Sequence, residues 1–542
     1  MTSAGLAPDT GLTKMVRGLF GLSLPLQLAI LAVVGALSAL AHAPTYWLFL
    51  LPLGFGLTFA LLSARTGFWG AFATVQAFAW GHFSAGMYWL ASPLTLDLGA
   101  YWWGIPFAVL GIPGVIAAVI STPVALAWVL ICQGADRPLG WRSLLILALA
   151  WACGDWLRSW VLTGLPWNVT GYVWGFDPVF MQTAAWWGPF GLSFLTAFAS
   201  GWACLLLVKS LSARQVALAV LPSIALAGFL FLAGQMRLAL APAPAPLDLQ
   251  VGLVQPNAKQ QLSRTQDQIE RAIEDLAAMS RALHAQSGGS LDAVVWSEGA
   301  TGLELYRNPL VRRAIEDLAA DGMVVITGAS RLEQRGPTPP YLGGPFDVSN
   351  TLAVVGPGGV EAEHDKAHLV PFGEYVPLRQ LISLPNLSLP GVDFVEGAGL
   401  RTLHSATLPP FGPLICYEAI FPGRSIERTD RPQWLVNITT DGWYGDTTGP
   451  HQHYVSVGFR AVEEGLPLVR TAGTGISGAF DAYGRQLGRV DLFERGSFWL
   501  DLPQGTRNTP LYAAGGQQVL MLLFWLFLIV LSVRGLSRLN QR

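Results

Sequence analysis

Residues 412–422 read GPLICYEAIFP, an apolar run that closes on Cys416, Tyr417 and Glu418. The part from 412 to 418 is short, apolar and bounded by glycine and proline, which reads as a buried β-strand. In open α/β sheets, side chains at a strand's end often project into a site at the sheet's edge. Cys132, Cys153 and Cys204 all fall in or beside strongly apolar segments, so Cys416 is the one cysteine of the polar part of the chain. In an oxidising compartment it would have no disulfide partner. Taken alone, a free cysteine reads as a small buried hydrophobe. To serve as a nucleophile it needs its thiolate, and therefore a base or a cation close by.

Similar runs lie on both sides of it. Strands are expected at 247–257 (LDLQVGLVQPN), 291–296 (LDAVVW), 323–329 (MVVITGA), 350–356 (NTLAVVG), 433–439 (QWLVNIT), 466–472 (LPLVRTA) and 475–484 (GISGAFDAYG). Helices are expected at 263–283, where Ser263 and Gln266 stand at capping-box spacing, and at about 308–320 and 449–464. This alternation predicts an α/β domain with a buried sheet or sheet pair. Residues 374–399 (EYVPLRQLISLPNLSLPGVDFVEGAG) are irregular but apolar, the pattern of a lid or a lipid-facing arm.

Other strand ends supply the base and the cation. In VVWSEGATG, Glu298 follows a buried strand directly, although a strand-terminal surface glutamate fits that position equally well. The stretch EHDKAHLVPFGEYVP at 363–377 packs Lys366, His368 and Glu374 among Pro, Phe, Gly and Val, a pattern that suits neither an amphipathic helix nor an amphipathic strand. It reads as a preorganised loop whose lysine offers a point charge to a developing oxyanion. His451 and His453, in GPHQH, have no third or fourth ligand nearby, nor do His364 and His368. A metal site is therefore not expected.

The rest of the chain is of another kind. The 542 residues are 52% hydrophobic and only 13% charged, well below the ~25% charge of a soluble domain. Apolar segments long enough for a bilayer occur at about 23–42, 45–64, 68–92, 105–132, 143–162, 180–208, 216–236 and 515–533, which predicts eight spans. Lys14, Arg17, Arg65, Arg137, Arg142, Lys209, Arg214, Arg534, Arg538 and Arg542 all fall on one side of that arrangement, and the opposite loops at 42–46 and 92–104 carry no Lys or Arg. Both termini are therefore expected in the cytoplasm and residues 237–514 outside it, which in a bacterium is the periplasmic face of the inner membrane. The expected organisation is a seven-span membrane domain at 1–240, a proline-rich linker at 241–247, an extracytoplasmic catalytic domain at 248–510, and an eighth span with a cytoplasmic tail at 511–542. Trp102, Trp103, Trp167 and Trp174 fall in outward loops, where an aromatic belt would sit. A net charge of −2 with no basic tract gives no reason to expect a nucleic-acid partner.

Glu298, Lys366 and Cys416 in that order, each at or after a strand, resemble the nitrilase or carbon-nitrogen hydrolase superfamily. With seven spans before and one after, the full length resembles the apolipoprotein N-acyltransferase family, through WSEGA, HDKAHLVPFGEYVP, ICYEAIFP, NITTDGWYGDTTGPHQH and RTAGTGISGAFDAYG. Ser297 departs from the proline that nitrilases commonly carry before the glutamate. The resemblance implies a four-layer αββα sandwich, with Glu298 as general base, Lys366 as cationic stabiliser and Cys416 as nucleophile. It implies supporting roles for Glu374 and Glu418 around Lys366, and for Tyr417 in the wall of an acyl pocket and as an oxyanion donor through its backbone N–H. It also implies no cofactor, a phospholipid acyl donor such as phosphatidylethanolamine, and as acceptor the α-amino group of a diacylglyceryl-modified N-terminal cysteine on an apolipoprotein. The two lipids would use one site in turn through a cysteine thioester, which is ping-pong chemistry.

Two other classes compete. A membrane-tethered amidase would keep the same three residues and use water as acceptor. A transporter with a sensing domain would pair ionisable residues across its spans, and Asp155 and Arg158 are the main candidates for that.

Overall fold

The computed structural model describes residues 18–132, 139–208, 213–243, 245–258, 265–334, 346–378 and 392–539. Lys14, Arg17, Arg137, Lys209 and Arg542, used above for orientation, lie outside them, as do Ser263, Pro244 of the linker and 379–391 of the apolar loop. The chain divides into two compact units, Met1–Leu240 with Leu511–Arg542, and Ala241–Pro510.

The first unit is helical. Among the described residues, five helices are long and apolar enough to cross a bilayer: Leu24–Ala41, Phe107–Cys132, Ala184–Leu206, Ala219–Ala239 and Tyr512–Val533. Where spans are expected at 45–64, 68–92 and 143–162, the structure has the helices Leu50–Leu62, Phe68–Gly86 and Trp141–Leu157. The first has 13 residues, about 20 Å at about 1.5 Å each, short of a hydrocarbon core of about 30 Å. The second includes Gln76 and His82, and His82 is buried against the Ser38 hydroxyl at 2.8 Å rather than facing lipid. Asp155 and Arg158 form a fully buried pair. Both are used to hold a loop: Thr170 N–H donates to Asp155 Oδ2 at 3.1 Å, and Arg158 Nη1 to the Trp167 carbonyl at 2.8 Å. Trp102 and Trp103 are exposed, as an interfacial belt requires, but Trp167 and Trp174 are buried. Trp167 packs on Trp89 at 4.3 Å, and Trp174 donates to the Thr196 hydroxyl at 2.8 Å.

The second unit is built on two sheets. One has six strands in the order β11-β1-β2-β3-β4-β5, the other five in the order β10-β9-β8-β7-β6. The strands are β1 (Pro246–Gln255), β2 (Ala293–Val295), β3 (Val324–Gln334), β4 (Phe346–Gly356), β5 (Gly359–Asp365), β6 (Phe411–Ile415), β7 (Trp434–Thr439), β8 (Leu468–Ala472), β9 (Ser477–Phe480), β10 (Gln486–Val490) and β11 (Gly496–Pro503). Strands β1, β2 and β3 pair in parallel, as do β6, β7 and β8.

Alternation along the strands sets the layers. Val251 and Leu253 of β1, with Val295, Ile326 and Val354 of the same sheet, meet Phe411, Val436, Ile438 and Val469 of the second sheet in one buried cluster. The opposite face of the first sheet, including Val254, Val294 and Val325, packs on helices α1 (Gln266–Gln286) and α2 (Pro309–Ala320) through Ile273, Leu276, Ile315 and Leu318. The outer face of the second sheet, including Leu414, Leu435 and Leu468, packs on helix α3 (Gly449–Glu464) through Val457 and Ala461. The layers therefore run helix, sheet, sheet, helix. Helix α1 starts two residues later than expected: Thr265 caps it, with Gln268 completing the capping box.

Candidate active site

Glu298 follows β2 through a turn laced to β3. Trp296 N–H donates to the Ile326 carbonyl at 2.8 Å and Gly328 N–H to the Ser297 carbonyl at 3.2 Å. These bonds hold the turn at Ser297 without a proline ring. Gly328 is required there, because a Cβ would lie 2.3 Å from Gly299 N and 2.6 Å from Glu298 Cα. On the far side, the Thr440 hydroxyl donates to the Glu298 carbonyl at 2.9 Å.

Lys366 is the first residue after β5, and its N–H donates to the Asn350 carbonyl at 2.8 Å. Its side chain is 1% exposed; Nζ donates to Glu374 Oε1 at 2.9 Å and lies 3.5 Å from Glu298 Oε1. Glu374 Oε2 in turn accepts from the Val370 N–H at 2.8 Å, and Gly397 N–H donates to the Lys366 carbonyl at 2.9 Å. The irregular loop after Lys366 is thus held by side-chain carboxylates instead of a strand ladder.

Cys416 directly follows β6 and opens a tight turn over Cys416–Ile420. Its φ is +49°, a left-handed conformation that costs a non-glycine residue about 1–2 kcal/mol. Glu418 ties this turn to the lysine loop: it accepts from Ile415 N–H and from Ala367 N–H, both at 2.7 Å, with His364 Nε2 at 3.4 Å. The Cys416 thiol sits close enough to the Glu298 carboxylate and to Thr439 for each to act on its protonation. Tyr417 is buried and joins His368 and Phe421 in an aromatic cluster beside it.

Burial raises the Glu298 pKa, the Lys366 charge opposes that, and the Glu374 carboxylate adds to it; the outcome is a carboxyl above the usual range. Burial works against the Lys366 ammonium, but Glu374 and Glu298 outweigh it, so the lysine stays charged. Burial, then the Glu298 charge, push the Cys416 thiol up to about 12. The resting thiol is therefore protonated near neutral pH, and a raised Glu298 sits where that proton can go. The structure brings together all six residues singled out from the sequence: Glu298, Lys366 and Cys416, with Glu374, Tyr417 and Glu418 around them.

Comparison with known proteins places this geometry. Residues 249–509 match the carbon-nitrogen hydrolase family, and residues 34–202 match the apolipoprotein N-acyltransferase N-terminal domain. An apolipoprotein N-acyltransferase from Rhizobium rhizogenes is 35% identical over 86% of this chain and 88% of its own length. One from Agrobacterium fabrum is 33% identical over 93% and 94%. The chain belongs to the apolipoprotein N-acyltransferase family. It is thereby an acyltransferase of the carbon-nitrogen hydrolase type, and the matched hydrolase region is the unit that carries the cluster. Among solved structures, the glutamine-dependent NAD+ synthetase of Acinetobacter baumannii shares 13% identity with it over 46% of this chain and 45% of its own, with a TM-score of 0.30.

Sequence reasoning missed Asn350, whose Nδ2 donates to Glu298 Oε1 at 2.8 Å and to Glu374 Oε1 at 2.9 Å. The only available signal was an amide in an otherwise apolar strand, NTLAVVG. It also missed the buried polar group behind Cys416, in which Arg470 meets Asn437, Asp441 and His453. His453, weighed above only as a metal ligand, belongs to this group. Among the described residues, no cluster of three or more His, Cys, Asp or Glu could hold a metal ion.

Proposed function

We propose that this chain moves an acyl group from a membrane phospholipid, phosphatidylethanolamine being the expected donor, to the α-amino group of a diacylglyceryl-modified N-terminal cysteine on lipoproteins. The observation that carries this reading is the shared site of Glu298, Lys366 and Cys416, in which one carboxylate faces both the thiol and the ammonium. Glu298 takes the thiol proton as Cys416 Sγ attacks the ester carbonyl of the phospholipid. The oxyanion that forms faces the Lys366 ammonium and the backbone N–H of Tyr417. Collapse breaks the ester C–O bond, the leaving alkoxide takes the proton from Glu298, and a lysophospholipid departs from a Cys416 thioester.

In the second half the lipoprotein amine attacks the thioester and Glu298 takes its proton. The C–S bond then breaks, an amide forms and the thiol is restored. Both half-reactions use one site, so the two lipids bind in turn. Glu374 and Asn350 hold Lys366 and Glu298 in register, and Glu418 fixes the cysteine turn against the lysine loop. Tyr417 walls the acyl pocket.

Acyl chains that never leave the bilayer avoid an extraction cost of about 0.8 kcal/mol per CH₂, which suits a site carried on the same chain as apolar helices of spanning length. In this reading residues 1–240 supply seven spans and 511–542 the eighth, both termini are cytoplasmic, and 248–510 face the periplasm from the inner membrane, joined by the linker at 241–247. The test is incubation of purified enzyme with acyl-labelled phosphatidylethanolamine and a diacylglyceryl-cysteinyl peptide. Labelled peptide supports the reading. Labelled fatty acid at the same rate with and without peptide would show a hydrolase that uses water, and would overturn it.

A further inference from the structure

The left-handed backbone of Cys416 needs something to hold it, and the structure shows what does. Its carbonyl oxygen lies 3.3 Å from His453 Nε2, on helix α3. A carbonyl only accepts, so in this contact Nε2 carries the proton. Burial disfavours the imidazolium, so the ring's other nitrogen is an acceptor: Arg470 Nη2 donates to it at 3.2 Å, and Asp441 Oδ1, 3.0 Å from it, acts on the ring through its pairing with Arg470. Arg470 is fully buried on β8; it binds Asp441 and Asn437, and its Nε donates to the Ile476 carbonyl at 3.1 Å. Asn437 on β7 donates to the Leu414 carbonyl at 2.9 Å. The main chain of the nucleophile strand is therefore gripped at Leu414 O by Asn437, at Ile415 N–H by Glu418 and at Cys416 O by His453. Gly475 lets the chain pass close to Asp441, since a Cβ there would lie 2.5 Å from the Asp441 Cβ.

We infer that His453 is a positioning residue for the nucleophile: its Nε2–H bond to the Cys416 carbonyl, oriented by the Arg470 guanidinium that faces Nδ1, holds the left-handed turn from which Sγ faces Glu298 and Lys366. His453 meets Cys416 at its carbonyl oxygen. It acts through the backbone of Cys416, where a 3.3 Å bond holds a conformation that otherwise relaxes to negative φ. Arg470 centres the group, linking the strands β7 and β8 to the helix that bears the histidine. Its guanidinium is satisfied by Asn437, Asp441 and the Ile476 carbonyl, which fixes the distance between the nucleophile strand and the ring.

This inference rests on the reading of Cys416 as the acylated residue. The test follows thioester formation on Cys416 by rapid-quench intact mass spectrometry, using full-length enzyme in bilayer nanodiscs with phosphatidylethanolamine and no acceptor. His453→Leu, His453→Gln and His453→Asn are compared with the parent, each rate divided by the folded fraction. Loss of one positioning bond predicts roughly 30-fold slower acylation for the leucine variant, with the half-saturating phospholipid concentration within about twofold of the parent. Glutamine places an amide N–H near the Nε2 position and restores the rate to within about threefold, whereas asparagine reaches only toward Asp441 and does not. A role in folding alone predicts that the folded fractions of all three acylate like the parent, and that result overturns the inference. So does asparagine restoring the rate as fully as glutamine. If the leucine variant does not fold, the glutamine and asparagine pair decides the question by the same comparison. A parent enzyme that carries no acyl group on Cys416 would refute the proposed function itself, a result that a slow His453 variant beside an acylated parent cannot produce.

Discussion

Asn350→Leu removes one side chain that serves two carboxylates. Its Nδ2 gives one hydrogen to Glu298 at 2.8 Å and one to Glu374 at 2.9 Å, and Asn350 is only 8% exposed. Hydrogen bonds to charged groups contribute about 1.5–3 kcal/mol each. The bond to Glu298 favours its ionised form and so holds its pKa down against burial. Without it, that pKa rises further, because the ionised form alone loses the hydrogen bond. Glu298 must be ionised to accept the thiol proton, so the acid limb of the acylation rate moves to higher pH. At a pH on the old plateau but below the new limb, the rate falls about 10- to 100-fold. The assay is the pH dependence of thioester formation from phosphatidylethanolamine in single turnover. An acid limb that stays in place, with a plateau rate within about threefold of the parent, would refute the argument that Asn350 tunes the base.

Gly328→Ala should be close to inactive, since its Cβ would displace the Glu298 turn; unfolding temperature and acylation rate are measured together, and a folded, fully active variant would contradict the close approach. Cys416→Ala should abolish acyl transfer, with Glu298→Gln and Lys366→Ala nearly as damaging, and the Glu298→Gln/Lys366→Ala double variant should be little worse than either single one. Multiplied losses in the double variant would mean that the two groups act separately. Burial raises the Glu418 pKa, but His364 and the N–H groups of Ile415 and Ala367 outweigh it and hold the folded value low. Its contribution to stability is therefore present above the ordinary glutamate value of about 4.3 and lost as pH falls through the lower folded value. Glu418→Gln should lower the unfolding temperature at pH 7 and narrow the gap from the parent toward pH 3; a constant gap would sink this.

The strands buried on both faces were legible in the sequence. In β1 to β4 and β6 to β8 both alternating sets of side chains enter a core, as Val294 and Val295 show, so each strand reads as a continuous apolar run. Strands β5, β10 and β11 were not, because they carry Glu361, Glu363, Arg489 and Asp501 among their apolar residues and lie at or near sheet edges. The triad was visible because each member follows a strand, where a polar side chain in an apolar context stands out. Asn350 and His453 were hidden for a physical reason: their partners are 52 and 37 residues away in sequence, and a lone amide or imidazole does not say what it binds. The cap of α1 was misplaced by two residues because Ser263 and Thr265 each have a glutamine three positions on, and only packing chooses between them. In the membrane unit hydropathy showed where the helices are, but Leu50–Leu62 ends sooner than its apolar segment does, so helix length was less legible than position.

The measurement closest to the centre is intact-protein mass spectrometry of the enzyme after incubation with phosphatidylethanolamine and no acceptor, beside the Cys416→Ser variant. A thioester on Cys416 predicts a gain of one acyl chain that hydroxylamine removes, that maps to the peptide containing Cys416, and that an added diacylglyceryl-cysteinyl peptide discharges as an amide. A parent enzyme that transfers acyl groups to the peptide while carrying no adduct on Cys416 would contradict the account.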